Sequence, residues 1–123
     1  MPLTISVDEP RTGSKQIHLE GSLDSQTSPE LEKLILQVIT PDIHCAILNF
    51  THLEYISSAG LRVVLKLQQI MHKHKGNVCA LGLQPQVKKV FEIVQAMPTK
   101  SIFASVEELD QYLINIQRKI LNE

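Results

Sequence analysis

The chain has 123 residues, about the size of one domain, and its formal net charge is −1. A nearly neutral chain creates no strong field, and aromatic residues form 4% of it with no Trp, so we expect no direct binding to nucleic acid or to an anionic membrane. The first residues lack the basic and apolar regions of a signal peptide and no apolar run reaches the length of a membrane span, so we expect a cytoplasmic protein.

Two short segments near the start of the chain alternate apolar and polar residues. Residues 3–7 and 16–20 have the period of half-buried strands, and the turn residues between them predict a hairpin. A loop follows, and Ser28 before Pro29 is typical of an N-cap with proline at the first helical position. The apolar stripe after it predicts a first helix, which ends before Pro41.

The middle of the chain predicts two buried strands separated by a helix. Residues 45–48 and 78–81 are short apolar runs, typical of strands that are covered on both faces. The helix extends from about Ser58 to His74 and ends after a basic last turn. Its apolar arc is wide, and we expect the part nearest Leu61 to remain accessible and to contribute to a partner interface.

The last part of the chain adds a helix, a short strand and a further helix. Pro85 opens the first of these helices, residues 101–104 predict the strand, and a stripe from Leu109 to Ile120 predicts the final helix. The resulting order is β-β-α-β-α-β-α-β-α. It predicts an α/β protein with a single domain over residues 1–123, in which about four helices pack on a mixed sheet of about five strands.

The thiols and histidines predict no metal site and no cofactor. Cys45 and Cys79 lie inside the apolar strand segments, so we interpret both as buried core residues. His72 and His74 are two apart on a helix and point in different directions, and the other histidines show no spacing typical of metal ligands.

The unusual chemistry lies where the segment that follows residues 45–48 enters the next helix. Ser57 and Ser58 lie at the helix N-terminus beside Gly60, which allows another backbone to approach closely. Unpaired N–H groups and the helix dipole favour an anion there, so we expect a phosphate on Ser58 to fit without unfolding the turn. A simpler interpretation is that one serine caps the helix, and both roles can coexist with Ser57 as the cap.

We predict no catalytic residue and no enzyme activity. A hydrolase elbow needs Gly two residues before and two residues after its serine, and Ile56 breaks that pattern at Ser58. The nearer downstream histidine lies about 14 residues along the same helix, roughly 21 Å away, so no catalytic triad forms.

At this junction the sequence resembles a known family. Residues 50–61, Phe-Thr-His-Leu-Glu-Tyr-Ile-Ser-Ser-Ala-Gly-Leu, resemble the signature of STAS domains, the bacterial anti-sigma factor antagonists. Residues 21–24, Gly-Ser-Leu-Asp, resemble the Gly-x-Leu-Asp element that precedes the first helix of that family. The predicted order of strands and helices also matches over nearly the whole chain.

The resemblance implies a phosphorylation switch that regulates transcription indirectly. In the family, the anti-sigma factor is also a serine kinase, and it phosphorylates the position that aligns with Ser58. The unphosphorylated antagonist binds the anti-sigma factor and frees the sigma factor, and a metal-dependent phosphatase of the PP2C type reverses the modification. Asp24 aligns with a nearby acidic position. The implied partner-binding residues are Asp24, Ser57, Ser58, Ala59, Gly60 and Leu61.

Two residues depart from the family pattern, and they leave alternatives open. Ser57 stands before the acceptor where Asp is frequent, and Asn49 ends the preceding strand where Asp is also frequent. Fewer carboxylates alter kinase recognition and reduce the repulsion of a phosphate. Asp24 has the alternative role of anchoring its loop through backbone N–H groups. The alternative functions are a scaffolding or accessory subunit of a stress-sensing or lipid-transport assembly, in which Ser58 is never phosphorylated, and a small-molecule sensor.

Overall fold

The computed structural model describes residues 2–96 and 106–122. In these residues the elements follow the order β-β-α-β-α-β-α-α. The strands are β1 (Leu3–Asp8), β2 (Ser14–Leu23), β3 (Cys45–Ile56) and β4 (Asn77–Leu81). The helices are α1 (Ser28–Val38), α2 (Ser58–Lys73), α3 (Pro85–Ala96) and α4 (Val106–Leu121). The strand expected at residues 101–104 lies outside the described residues.

The described strands form one mixed sheet in the spatial order β1-β2-β3-β4. β1 and β2 pair antiparallel, with Leu3 opposite Gly21, which confirms the predicted hairpin. β3 pairs parallel with both β2 and β4, because helices connect these strands and return the chain in the same direction. The α/β class and the mixed sheet are therefore confirmed. The C-terminal ends of β2 and β3 lie side by side, with Leu23 opposite Ile56.

β3 extends well beyond the apolar run at residues 45–48 that predicts it. Its register against β2 shifts at two places, and each shift inserts one extra residue into β3 as a β-bulge. The buried side chains in this part of β3 are consequently three residues apart, at Phe50, Leu53 and Ile56. β3 therefore ends at Ile56, directly before Ser57 and Ser58.

The wide apolar arc of α2 is explained by its neighbours, since the helix contacts α1, β3, β4 and α4. Leu61 is only 6% exposed and Leu67 is fully buried, so the accessible part of the arc does not include Leu61 itself, and the expected partner interface stays a prediction. Leu65, one turn further along, is 49% exposed. The arc therefore serves mainly to fill the core between the sheet and the helices.

β4 differs from the buried strand that its apolar sequence predicts. In the part of the chain that the structure describes, it pairs with β3 alone, and four of its five residues are exposed. Cys79 is exposed and Cys45 is half-buried, so the interpretation of both thiols as core residues is wrong. Burial raises the pKa of the Cys45 thiol above its usual value, and the adjacent Cys79 raises it further.

Two kinds of feature are absent from residues 2–96 and 106–122. No helix there combines the length and the apolar character that crossing a bilayer requires. No group of three or more His, Cys, Asp and Glu side chains is arranged to hold a metal ion.

Candidate functional site

The turn between β3 and α2 is held by its first serine. Ser57 has an extended backbone and is the N-cap of α2, and its Oγ accepts a hydrogen bond from the Gly60 N–H at 3.4 Å. The Ser57 N–H donates to the Leu23 carbonyl at 2.9 Å, which ties the end of β3 to the end of β2. The prediction that Ser57 caps the helix is confirmed, and Ser58 becomes the first residue of α2.

The loop after β2 is built around Asp24. Its Oδ1 accepts hydrogen bonds from the N–H groups of Gln26 at 2.9 Å and Thr27 at 3.1 Å, as the loop-anchoring role predicts. Thr27 Oγ1 accepts from the Asp24 N–H at 2.9 Å and donates to the Ser22 carbonyl at 2.8 Å. Thr27, rather than Ser28, is therefore the N-cap of α1, although its hydroxyl serves the loop and makes no capping hydrogen bond.

The second serine is bound by a residue that the sequence did not single out. Ser58 Oγ donates to Asp110 Oδ1 at 2.5 Å, and the Ser58 backbone N–H donates to the same oxygen at 3.1 Å. Ser58 is 8% exposed, so its hydroxyl is largely covered. Asp110 lies in α4, and its carboxylate satisfies a free N–H at the start of α2, where the helix dipole favours negative charge.

A buried glutamine fastens α4 to the last residue of β3. Gln117 is 1% exposed, its Oε1 accepts from the Ile56 N–H at 2.9 Å, and its Nε2 donates to the Ile56 carbonyl at 2.8 Å. The side-chain amide thus pairs with a strand end as a neighbouring strand would. Gln117 was also missed, since polar residues of amphipathic helices are ordinarily read as solvent-facing.

The six residues predicted to bind a partner lie together at the ends of β2 and β3 and in the first turn of α2. Asp24 and Ala59 are half-buried, whereas the others are buried. A shallow depression opens beside them, and its lining includes Asp24, Tyr55, Ser57, Asp110 and Ile114. The described lining offers carboxylates, hydroxyls and one phenol, and it includes no cationic side chain.

The pKa of Tyr55 reports the charge around this depression. Burial raises the pKa of the phenol above its usual value, and the carboxylates of Asp110 and Asp24 raise it further. A folded pKa above the unfolded one means that the neutral phenol is favoured by the fold. Its contribution to stability is complete below pH of about 10 and is lost as the pH rises through the folded pKa.

We expect Asp110→Asn to lower the pKa of Tyr55, because one of the two carboxylates that oppose the phenolate is removed. The chain has two tyrosines, so in a Tyr112→Phe background the ultraviolet absorbance of tyrosinate reports Tyr55 alone. Asp8→Asn is the matched control, since that exposed carboxylate lies at the end of β1 and pairs with His18. A Tyr55 pKa unchanged by Asp110→Asn would contradict the arrangement.

We expect Gly60→Ala to destabilise the domain by about 1–3 kcal/mol, although the same change in an open helix gains stability. A Cβ at Gly60 would lie 2.8 Å from Leu23 Cγ, 2.9 Å from Ile56 Cγ1 and 2.9 Å from the Leu23 carbonyl oxygen, which cannot rotate away. Urea unfolding measures the effect, and Gln68→Ala at an exposed position of α2 is the control. A Gly60→Ala protein as stable as the wild type would show that the turn can relax.

Comparisons with known proteins agree with this geometry. The STAS domain family matches residues 7–109. BtrV of Bordetella bronchiseptica, named an anti-sigma factor antagonist, is 35% identical over 75 residues, which cover 61% of this chain and 65% of BtrV. The chain therefore spans about two thirds of the length of that relative. An anti-sigma-B factor antagonist of Staphylococcus epidermidis is 24% identical over 78 residues, covering 63% of this chain and 72% of that protein.

Solved structures show the same fold. The anti-sigma factor antagonist SpoIIAA in its unphosphorylated form superposes with a TM-score of 0.69 at 24% identity, covering 75% of this chain and 81% of that one. The phosphorylated form of SpoIIAA from Bacillus gives a TM-score of 0.64 at 23% identity, covering 74% and 83%. Since the family match includes β2, β3 and the serine turn of α2, the chain belongs to the STAS domain family.

Proposed function

We propose that the chain is an anti-sigma factor antagonist that is switched by reversible phosphorylation at Ser58. It binds an anti-sigma factor that is also a serine kinase, and a PP2C-type phosphatase restores the unmodified form. The observation that carries the proposal is the position of Ser58 as the first residue of α2, directly after the capping Ser57 in a STAS turn. The names of relatives such as BtrV support the same role.

The partner surface in this proposal is formed by the accessible groups around the serine turn. Asp24 and Ala59 are half-buried, and Tyr55 lines the depression beside them. Arg62, one turn after Ser58, is exposed on α2. The buried Ser57, Gly60 and Leu61 act by fixing the shape of the turn. The proposal assigns no catalytic group to this chain, because the phosphoryl transfer uses the machinery of the kinase.

The experiment that tests the proposal combines modification and binding. The chain is incubated with ATP and the kinase-type anti-sigma factor of its own host, and mass spectrometry locates the phosphate. We expect one phosphopeptide that covers residues 55–62, with the phosphate on Ser58 and none in Ser58→Ala. Calorimetry then compares the affinities of the unmodified and modified chains. Absence of binding by the unmodified chain would overturn the proposal.

The burial of Ser58 favours a second candidate function. Ser58 is 8% exposed and its hydroxyl is bound to Asp110, which is typical of a structural serine. In this alternative the chain is a scaffolding or accessory subunit whose serine turn is never modified. The two functions differ in one measurable respect, since the alternative requires that Ser58→Ala leaves the assembly and its signalling output unchanged.

A further inference from the structure

α4 contacts the proposed phosphoacceptor through Asp110. Both hydrogen-bond donors of Ser58, its hydroxyl and its N–H, are directed at one oxygen of Asp110. Ser58 is only 8% exposed while Asp110 stays in place, so its oxygen is covered against a kinase, whose γ-phosphate must approach it in line.

We propose that α4 is a phosphate-sensitive cover: Asp110 holds its N-terminal part over Ser58 while the serine is a hydroxyl, and a phosphate on Ser58 displaces it. The inference rests on the proposed modification of Ser58 and adds a mechanism for its regulation. In the modifying step, Ser58 Oγ bonds to the terminal phosphorus of ATP, the bond to ADP breaks, and the hydroxyl proton passes to a base of the kinase.

Charge makes the phosphate and the docked Asp110 incompatible. The hydroxyl donates to the carboxylate, whereas a phosphoserine carries a charge of about −1.5 to −2 and has little to donate. Asp24 contributes a second carboxylate to the depression, whose described lining includes no cationic side chain, and the exposed Arg62 lies one turn after Ser58 on α2. Like charges in contact at a partly buried site repel strongly, since solvent screens them incompletely.

The rest of α4 has anchors that a phosphate does not touch. Gln117 pairs with Ile56 about two turns beyond Asp110, and Leu113 between them is fully buried. The displacement is therefore confined to the part of α4 before Leu113. The coupling between the phosphate and the docking of Asp110 is reciprocal. Because the phosphate weakens the docking, the docking disfavours the phosphate to the same extent, and the cover restrains modification of the resting protein.

Hydrogen exchange of the full chain tests the cover without any partner. Phosphoserine is installed at position 58 during translation, in the wild type and in Asp110→Asn, which retains an acceptor oxygen but loses the charge. We expect the phosphate to accelerate exchange in the N-terminal half of α4 about tenfold or more in the wild type, and much less in Asp110→Asn. Phosphoserine at the exposed Ser6 of β1 is the control for added charge alone.

Three results would overturn the cover. They are equal exchange in α4 with and without the phosphate, an acceleration that Asp110→Asn fails to reduce, and an acceleration that extends to α1. Because the phosphate is installed without a kinase, a chain that binds no anti-sigma factor can still show the cover. Conversely, if the chain is a phosphorylated antagonist and α4 does not move, this experiment contradicts the cover and leaves the proposed function intact.

Discussion

Ser58→Asp is expected to lower the affinity of the chain for its kinase-type anti-sigma factor by about a hundredfold or more, whereas Ser58→Ala retains binding and resists phosphorylation. In the proposed complex the partner packs on the serine turn, so a charge at position 58 must be desolvated against a surface shaped for a hydroxyl. A few kcal/mol lost in this way corresponds to the expected change in affinity.

Ser58→Asp is also expected to lower the stability of the isolated protein. The new carboxylate would lie beside Asp110, which accepts two hydrogen bonds from Ser58 in the wild type. We therefore combine Ser58→Asp with Asp110→Asn, so that the charge at the turn is kept while its repulsion is reduced. Ser57→Ala is the matched control, since it keeps the acceptor and loses a cap worth about 1 kcal/mol of stability.

Calorimetric titration of each variant with the partner gives the affinities, and thermal melts confirm that each protein is folded. A folded Ser58→Asp protein that binds as tightly as the wild type would leave the switch without support. The scaffolding function would then be favoured, because it requires nothing of the charge at position 58.

Gln117→Met is expected to destabilise the domain by about 2–5 kcal/mol, because it leaves two buried backbone groups of Ile56 without a partner. Methionine has nearly the volume of glutamine, so the loss measures the polar pairing and little of the packing. Each unsatisfied buried group costs about 1–3 kcal/mol.

Urea unfolding of the variant gives the change in free energy, and Gln111→Met provides the control on the same helix. Gln111 is exposed and its side chain donates to the exposed side chain of Asn115 at 3.1 Å, so its replacement should change stability by no more than about 0.5 kcal/mol. Equal losses for the two variants would mean that the pairing with Ile56 contributes nothing to the fold.

Local patterns predicted most of the elements, because periodicity and caps are written in neighbouring residues. The start of α2 and the cap at Ser57 are both confirmed. The length of β3 was not predictable in this way, since two bulges replace its period of two with buried residues every third position, such as Leu53 and Ile56. The exposure of Cys79 was also hidden, because an apolar run does not reveal how far neighbouring elements cover its strand.

Only those site residues that are neighbours in the sequence could be predicted. Ser57, Ser58 and Gly60 lie within one turn, and their order in the sequence predicts the helix cap and the glycine next to it. Asp110 is 52 residues from Ser58, and Gln117 is 61 residues from Ile56, so no spacing rule connects them. Long-range contacts of this kind follow from how α4 packs, which depends on the whole core.

The pairing of Gln117 with Ile56 sets the order in which the contacts around the serine turn can form during synthesis. During synthesis the ribosome releases the turn long before it releases α4, and until then the end of β3 has neither its amide partner nor the carboxylate over Ser58. In a nascent chain, or in one truncated before α4, the N–H and carbonyl of Ile56 therefore lack the Gln117 amide as a partner. The hydrogen bonding at the end of β3 is therefore complete only after α4 has left the ribosome and docked.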